Sequence, residues 1–182
     1  MLSRLRNTLM SRESQPPNIQ NILKVFAQHQ IEYMLIGGMA AITYGSHQVT
    51  WDIDVLTKVE DQNLNGLVYA LNALEAKQII RDEIHNVEIT LDLLKHLPYS
   101  RWQTNSGDVD ILHRLLNSGL NGAETFEELK TSSNKMTSYG ITFLVAGLDD
   151  IIESKIKTGR PQDLATVENL LQLKRHREAD NK

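Results

Sequence analysis

Four carboxylates, two glycines and their spacing hold most of the chemistry in this chain. Asp52 and Asp54 are separated by Ile53 and followed by Val55. In an extended strand, residues i and i+2 point to one face, about 6.5 Å apart, so both carboxylates aim together. Their flanking residues Trp51, Ile53 and Val55 are expected on the opposite, buried face. Two like charges side by side repel unless a cation sits between them. Hard oxygen donors favour Mg²⁺ or Mn²⁺. A two-metal site is one known way to activate an attacking oxygen and steady a leaving phosphate.

A second acidic strand follows at Asp108-Val109-Asp110-Ile111-Leu112. Asp110 has an apolar residue on each side, as a carboxylate in a central strand would. It is the expected third ligand, and Asp108, next to the Gly107 turn, is the alternative. Ahead of both segments, Gly37-Gly38 falls where an apolar strand ends and a helix begins. Free N–H groups and the helix dipole make such an end an anion site, and glycine lets a phosphate approach the backbone.

The elements that must position these residues read as a mixed α+β pattern. A helix from Ile19 to about His29 precedes a buried strand over 32–36, with a short helix over 39–44. Asp52 to Thr57 alternates as a strand, and 61–76 is a helix with Leu64, Leu67, Val68, Leu71 and Leu74 on one side. Residues 86–96 fit either a strand or a helix. Residues 101–104 and 109–112 are strands around Asn105-Ser106-Gly107. A short helix over 125–130, a hairpin over 135–145 and helices over 147–157 and 161–175 complete the chain. Consecutive strands argue for an α+β sandwich rather than a regular doubly wound fold. Leu2, Leu5 and Leu9 predict a short helix in an arm over residues 1–16, and the main domain is expected over 17–182.

Composition narrows the classes. The 182 residues include no cysteine, which removes disulfides and thiol chemistry. Residues 17–173 hold 12 of the 19 basic and 20 of the 23 acidic side chains, a net charge of −8. Both ends are net positive, through Arg4, Arg6 and Arg12 at one and Lys174, Arg175, Arg177 and Lys182 at the other. A broad nucleic-acid surface is therefore not expected on the body. No run reaches the ~18 apolar residues of a membrane span, and the start lacks a signal-peptide core. A cytoplasmic protein is expected. None of the six histidines has metal-ligand spacing with another. There is no Gly-x-Ser-x-Gly and no Walker lysine loop.

The ordered combination resembles the nucleotidyltransferases of the DNA polymerase β-like superfamily. The nearer likeness is to small bacterial abortive-infection toxin-type (AbiEii-like) nucleotidyltransferases. It rests on Gly37-Gly38-Met39-Ala40, Gly45-Ser46, Thr50-Trp51-Asp52-Ile53-Asp54, Val109-Asp110-Ile111-Leu112, Leu148-Asp149-Asp150-Ile151-Ile152-Glu153-Ser154-Lys155 and Gly159-Arg160-Pro161-Gln162-Asp163. It runs from about residue 19 to 174. Where that family often has an arginine before the threonine, this chain has Gln48.

The resemblance implies a nucleotidyltransferase-like mixed sheet flanked by helices, with C-terminal helices. It implies transfer of a nucleoside monophosphate from an NTP to a hydroxyl with Mg²⁺ or Mn²⁺. Asp52 and Asp54 would hold both ions, and Asp110 one of them while taking the acceptor's proton. Gly37, Gly38, Lys155, Arg160 and Asp163 would bind the nucleotide. The acceptor is left open among a small molecule, a protein hydroxyl and RNA. The alternative is a catalytically weak or inactive nucleotide-binding regulator or toxin–antitoxin component with a cognate partner protein.

Overall fold

The computed structural model describes residues 16–116 and 122–180. The expected arm helix lies outside these residues. The first described helix, α1 (Ile19–Gln28), is capped by Asn18, whose side chain accepts from the Asn21 N–H at 3.1 Å. Its apolar stripe of Ile22, Leu23, Val25 and Phe26 is buried. Then follow β1 (Tyr33–Leu35), α2 (Gly37–Thr43), β2 (Asp52–Thr57) and α3 (Asp61–Ala73). The middle of the chain holds β3 (Lys77–Ile80), β4 (Glu83–His85), α4 (Leu91–His96), β5 (Tyr99–Thr104) and β6 (Gly107–Leu112). After β7 (Leu115–Leu116) and β8 (Ala123–Glu124) come α5 (Phe126–Leu129), β9 (Asn134–Ser138), β10 (Ile141–Val145), α6 (Leu148–Thr158) and α7 (Pro161–Asp180).

Eight strands form one mixed sheet in the order β4-β3-β5-β6-β2-β1-β10-β9, and β7 and β8 make a separate small ribbon. The α+β expectation is met. At the centre, β2 and β6 run parallel, with Asp52 opposite Asp108 and Asp54 opposite Asp110. Each acidic strand alternates faces, as period 2 requires. Ile53, Val55, Val109 and Ile111 turn to the core and are essentially unexposed. Tyr33 and Leu35 share that face, and the Phe26 ring meets Tyr33 edge-on at 5.1 Å, so α1 covers it. The aspartates turn to the other face, where α2, α6 and the start of α7 stand.

Gly66 lies inside α3 because a Cβ there would meet the His29 carbonyl oxygen at 2.9 Å. Its absence lets α3 approach the end of α1.

Two readings need correction and one left open is resolved. Trp51 is not on the buried face: the strand begins at Asp52, alternation does not extend back to it, and it is half exposed. Residues 86–96 divide into an extended stretch and α4, because Thr90 caps the helix by accepting from the Leu93 N–H. The helix expected over 61–76 ends at Ala73, and β3 and β4 then form a hairpin with no counterpart in the sequence reading.

Candidate active site

The register of β2 and β6 assembles the acidic cluster. Asp52, Asp54 and Asp110 each offer a carboxylate oxygen, and the three lie within 4.8 Å of one another. Asp108 shares the face but is not part of that group, so Asp110 is the carboxylate that joins the pair. The sheet brings together residues 56 positions apart without any flexible loop.

Each carboxylate has a different environment. The Thr50 hydroxyl donates to Asp52 Oδ1 at 2.8 Å. The Gly38 N–H donates to Asp54. The Tyr99 hydroxyl donates to Asp110 Oδ2 at 2.7 Å, and Arg101 Nε stands 3.7 Å from the same oxygen. Asp110 Oδ1 is buried and has no hydrogen-bond partner among the described residues. A bare buried carboxylate oxygen is unusual and marks a place for an ion or a proton.

Electrostatics follow from this crowding. Burial pushes the Asp54 carboxyl up to about 7, and the charges of Asp52 and Asp110 add to it. The Gly38 N–H and Arg160 pull the other way. Burial raises Asp110 to about 6; the Tyr99 hydrogen bond opposes this and Asp52 reinforces it. Burial, then the bond to Asp110, raises the Tyr99 phenol, which keeps it a donor. Asp54 and Asp110 resist ionising together beside the Asp52 charge, and a divalent cation relieves such crowding.

The cluster lines one wall of a cleft of about 650 Å³. Gly37, Gly38, Lys155, Arg160 and Asp163 line it too, so every site residue expected from the sequence faces one space. Gly37 has φ +61°, and a Cβ there would run into the Asp54 carboxylate. A Cβ at Gly38 would meet Thr50 Oγ1 at 2.6 Å. Glycine is needed at Gly37 because the start of α2 touches the acidic strand, and at Gly38 because the segment leading into that strand packs against it. Gln48, in place of the arginine, donates from Nε2 to the Gly38 carbonyl at 2.9 Å.

The opposite wall is an ion-pair network. Lys155 Nζ is 3.1 Å from Asp163 Oδ1, and Arg160 Nε binds Asp163 Oδ2. Lys155 and Asp163 are both buried. The Gly159 αL cap between α6 and α7 creates this corner. Asp163 is a counter-charge to two cations, and they hold its carboxyl below the ordinary range against burial.

Sequence reasoning missed Tyr99; it named Thr50 and Gln48 only through the resemblance and assigned them no contact. Tyr99 had a signal: it sits two residues before Arg101 in an alternating run. Pro98 obscured where the strand starts.

The fold is similar to that of several solved structures. The lincosamide antibiotic adenylyltransferase LnuA, solved with lincomycin bound, superposes with a TM-score of 0.57 at 16% identity, over 86% of this chain and 96% of that one. This is the nucleotidyltransferase fold. A Thermotoga maritima protein, TM1012, described as a candidate nucleotidyltransferase, gives 0.53 at 14% identity, over 85% and 90% of the two chains. The antibiotic-resistance factor ANT(2'')-Ia gives 0.52 at 14% identity, over 89% and 91%. No protein-family model matches the chain, and no curated protein matches it in sequence.

The glycine turn gives a direct check. In Gly38→Val, a branched side chain is forced onto Thr50 where the backbone borders the cleft. Overpacking of this kind costs about 1–3 kcal/mol, so the melting temperature falls by about 2–12 °C. Any stabilisation by nucleotide is expected to disappear while the circular dichroism of the folded chain persists. A wild-type nucleotide response would show that Gly38 makes no close contact with nucleotide.

Proposed function

We propose that this chain is a Mg²⁺- or Mn²⁺-dependent nucleotidyltransferase that moves a nucleoside monophosphate from an NTP to a hydroxyl, releasing pyrophosphate. The observation that carries the reading is the convergence of Asp52, Asp54 and Asp110 within 4.8 Å on two parallel strands. The bare Asp110 Oδ1 and the raised Asp54 carboxyl fit a site for a hard divalent cation. Bound divalent ions supply Lewis acidity and neutralise charge on the phosphates.

The chain's own residues supply the rest. Asp52 and Asp54 would hold the cations, and Asp110 would hold one of them and accept the proton of the acceptor hydroxyl. Gly37 and Gly38 leave backbone room for the β- and γ-phosphates. Lys155 and Arg160 face the same cleft as cations, with Asp163 fixing their positions. The nucleotidyltransferase domain spans 17–182, with the basic arm over 1–16 outside it. The abortive-infection type is the proposed subfamily, and the cytoplasm the proposed location. No described helix is long and apolar enough to cross a membrane.

The acceptor is a small molecule, a protein hydroxyl or RNA. A second reading, a catalytically weak or inactive nucleotide-binding regulator or toxin–antitoxin component with a partner protein, is favoured by Gln48. A neutral amide bonded to Gly38 replaces the positive charge an arginine would bring.

Thermal unfolding with each NTP, with and without Mg²⁺, tests the reading. Ligand at 100 times its dissociation constant adds about 2.7 kcal/mol, or about 5–11 °C here. At least one NTP is expected to give that shift only with the metal. No shift with any NTP and either metal overturns both readings. A shift without turnover on small-molecule, protein and RNA acceptors favours the regulator.

A further inference from the structure

The two oxygens of Asp110 are not equivalent, and the difference traces to one residue on the neighbouring strand. In the β5–β6 pair, Arg101 is opposite Asp110 and Tyr99 is opposite Leu112. Tyr99 is therefore the diagonal neighbour of Asp110 on the same face. Such neighbours are about 7–8 Å apart at the backbone, a gap that a long aromatic side chain can span. Its hydroxyl reaches Oδ2 at 2.7 Å. Arg101 is turned mainly to Asp82, at 3.0 Å, and stands only within ion-pair range of Oδ2.

Tyr99 is not a core aromatic. It is 50% exposed and its side chain borders the cleft beside Leu112 and Leu115. A surface tyrosine whose hydroxyl points inward, to a single carboxylate oxygen, has a more specific task than filling space. A carboxylate rotates about its Cβ–Cγ bond and can present either oxygen. A hydrogen bond to one of them selects an orientation.

We propose that Tyr99 is the positioning residue for Asp110. Its hydroxyl engages Oδ2, and Oδ1 is thereby the oxygen presented to a cation and to the acceptor's proton. This inference rests on the cation-binding reading of the cluster given above. It assigns to β5 a role that the three aspartates alone do not show, and it places the Tyr99 ring on the acceptor side of Asp110. The nucleotide-side residues Gly37, Gly38 and Lys155 belong to α2 and α6.

Mn²⁺ titration followed by electron paramagnetic resonance, on the full chain without nucleotide, reads this directly. Tyr99→Phe keeps the ring, the cleft shape and the charge count, and removes only the donor. Loss of an outer-shell partner typically weakens metal binding 10- to 100-fold, so Mn²⁺ affinity is expected to fall about tenfold. In an Asp110→Asn background, the same change is expected to add no further loss, since the partner it orients is gone. In turnover, Tyr99→Phe lowers kcat and leaves the KM for NTP unchanged.

Equal Mn²⁺ affinity in wild type and Tyr99→Phe overturns the proposal. So does a Tyr99→Phe effect that persists undiminished in Asp110→Asn. Should Tyr99→Phe lose its fold, Arg101→Gln supplies the control: it removes the weaker neighbour of Oδ2 and is expected to cost less Mn²⁺ affinity than the roughly tenfold loss of an outer-shell partner. A larger cost would assign the positioning to Arg101 instead. A wild-type chain that binds no Mn²⁺ would overturn the cation site itself, which separates failure of that reading from failure of this one.

Discussion

Asp54→Asn is expected to reduce metal-dependent turnover about a thousandfold while making the metal-free protein more stable. The two effects have one cause. Asp54 is crowded by Asp52 and Asp110 and is partly desolvated. Asparagine keeps the shape and removes a charge that the folded state tolerates poorly. It also removes a ligand from the cation site. Losing about 4 kcal/mol of charge stabilisation in the transition state corresponds to about a thousandfold in rate. Steady-state turnover and calorimetric unfolding, run on the same preparation with and without Mg²⁺, check both signs. Unchanged turnover would remove Asp54 from the mechanism.

The pH dependence carries the same information. Asp54 is raised to about 7 and Asp110 to about 6 in the folded protein, both above the ordinary aspartate range. The folded state therefore holds these protons more tightly than the unfolded chain. Their contribution to stability is fully present below the ordinary aspartate value of about 4 and is lost as pH rises through about 6–7. Metal-free wild type should lose stability relative to Asp54→Asn across that window. With Mg²⁺ or Mn²⁺ the trend should reverse, because the cation competes with the protons and binds better once they leave.

The acidic site was legible because its rule is local. Asp-x-Asp in a strand must share a face, and the apolar residues at 53, 55, 109 and 111 identify the other face. That Asp110 joins Asp52 and Asp54 was expected, but the parallel register that sets it opposite Asp54 was not legible, since it depends on a crossover through more than fifty residues. The β3–β4 hairpin escaped notice for a chemical reason. Its turn uses Arg81 and Asp82 at φ 51° and 64°, where the usual signal would be Asn-Gly. Trp51 was misplaced because a two-residue period was extended one residue beyond the strand. Lys155 and Asp163 could be singled out only by resemblance. Their contact needs the Gly159 corner, which folds α7 back along α6.

That corner sets the second large effect. In Asp163→Asn, the Lys155 ammonium stays buried and loses the carboxylate 3.1 Å away, and Arg160 loses its partner as well. Breaking one side of a buried pair costs about 3–5 kcal/mol, so the melting temperature should fall by about 6–20 °C. The acid side provides the sign check. The Asp163 carboxyl lies below its ordinary range in the folded state, so its contribution is present above about pH 4 and is lost as pH falls through the depressed value. Wild type and Asp163→Asn should therefore converge in strong acid and separate towards neutrality. Nucleotide distinguishes a structural ion pair from a phosphate-binding one. If Lys155 and Arg160 meet the triphosphate, Mg²⁺·NTP offers them a replacement anion, and it should raise the melting temperature of Asp163→Asn by more than that of wild type. In Lys155→Met/Asp163→Leu, apolar side chains replace the pair, and the metal-free stability lost in the single variant should largely return. Its nucleotide-dependent shift should be weak. A double variant that binds NTP as wild type does would show that the Lys155–Asp163 pair holds α6 to α7 and takes no part in nucleotide binding.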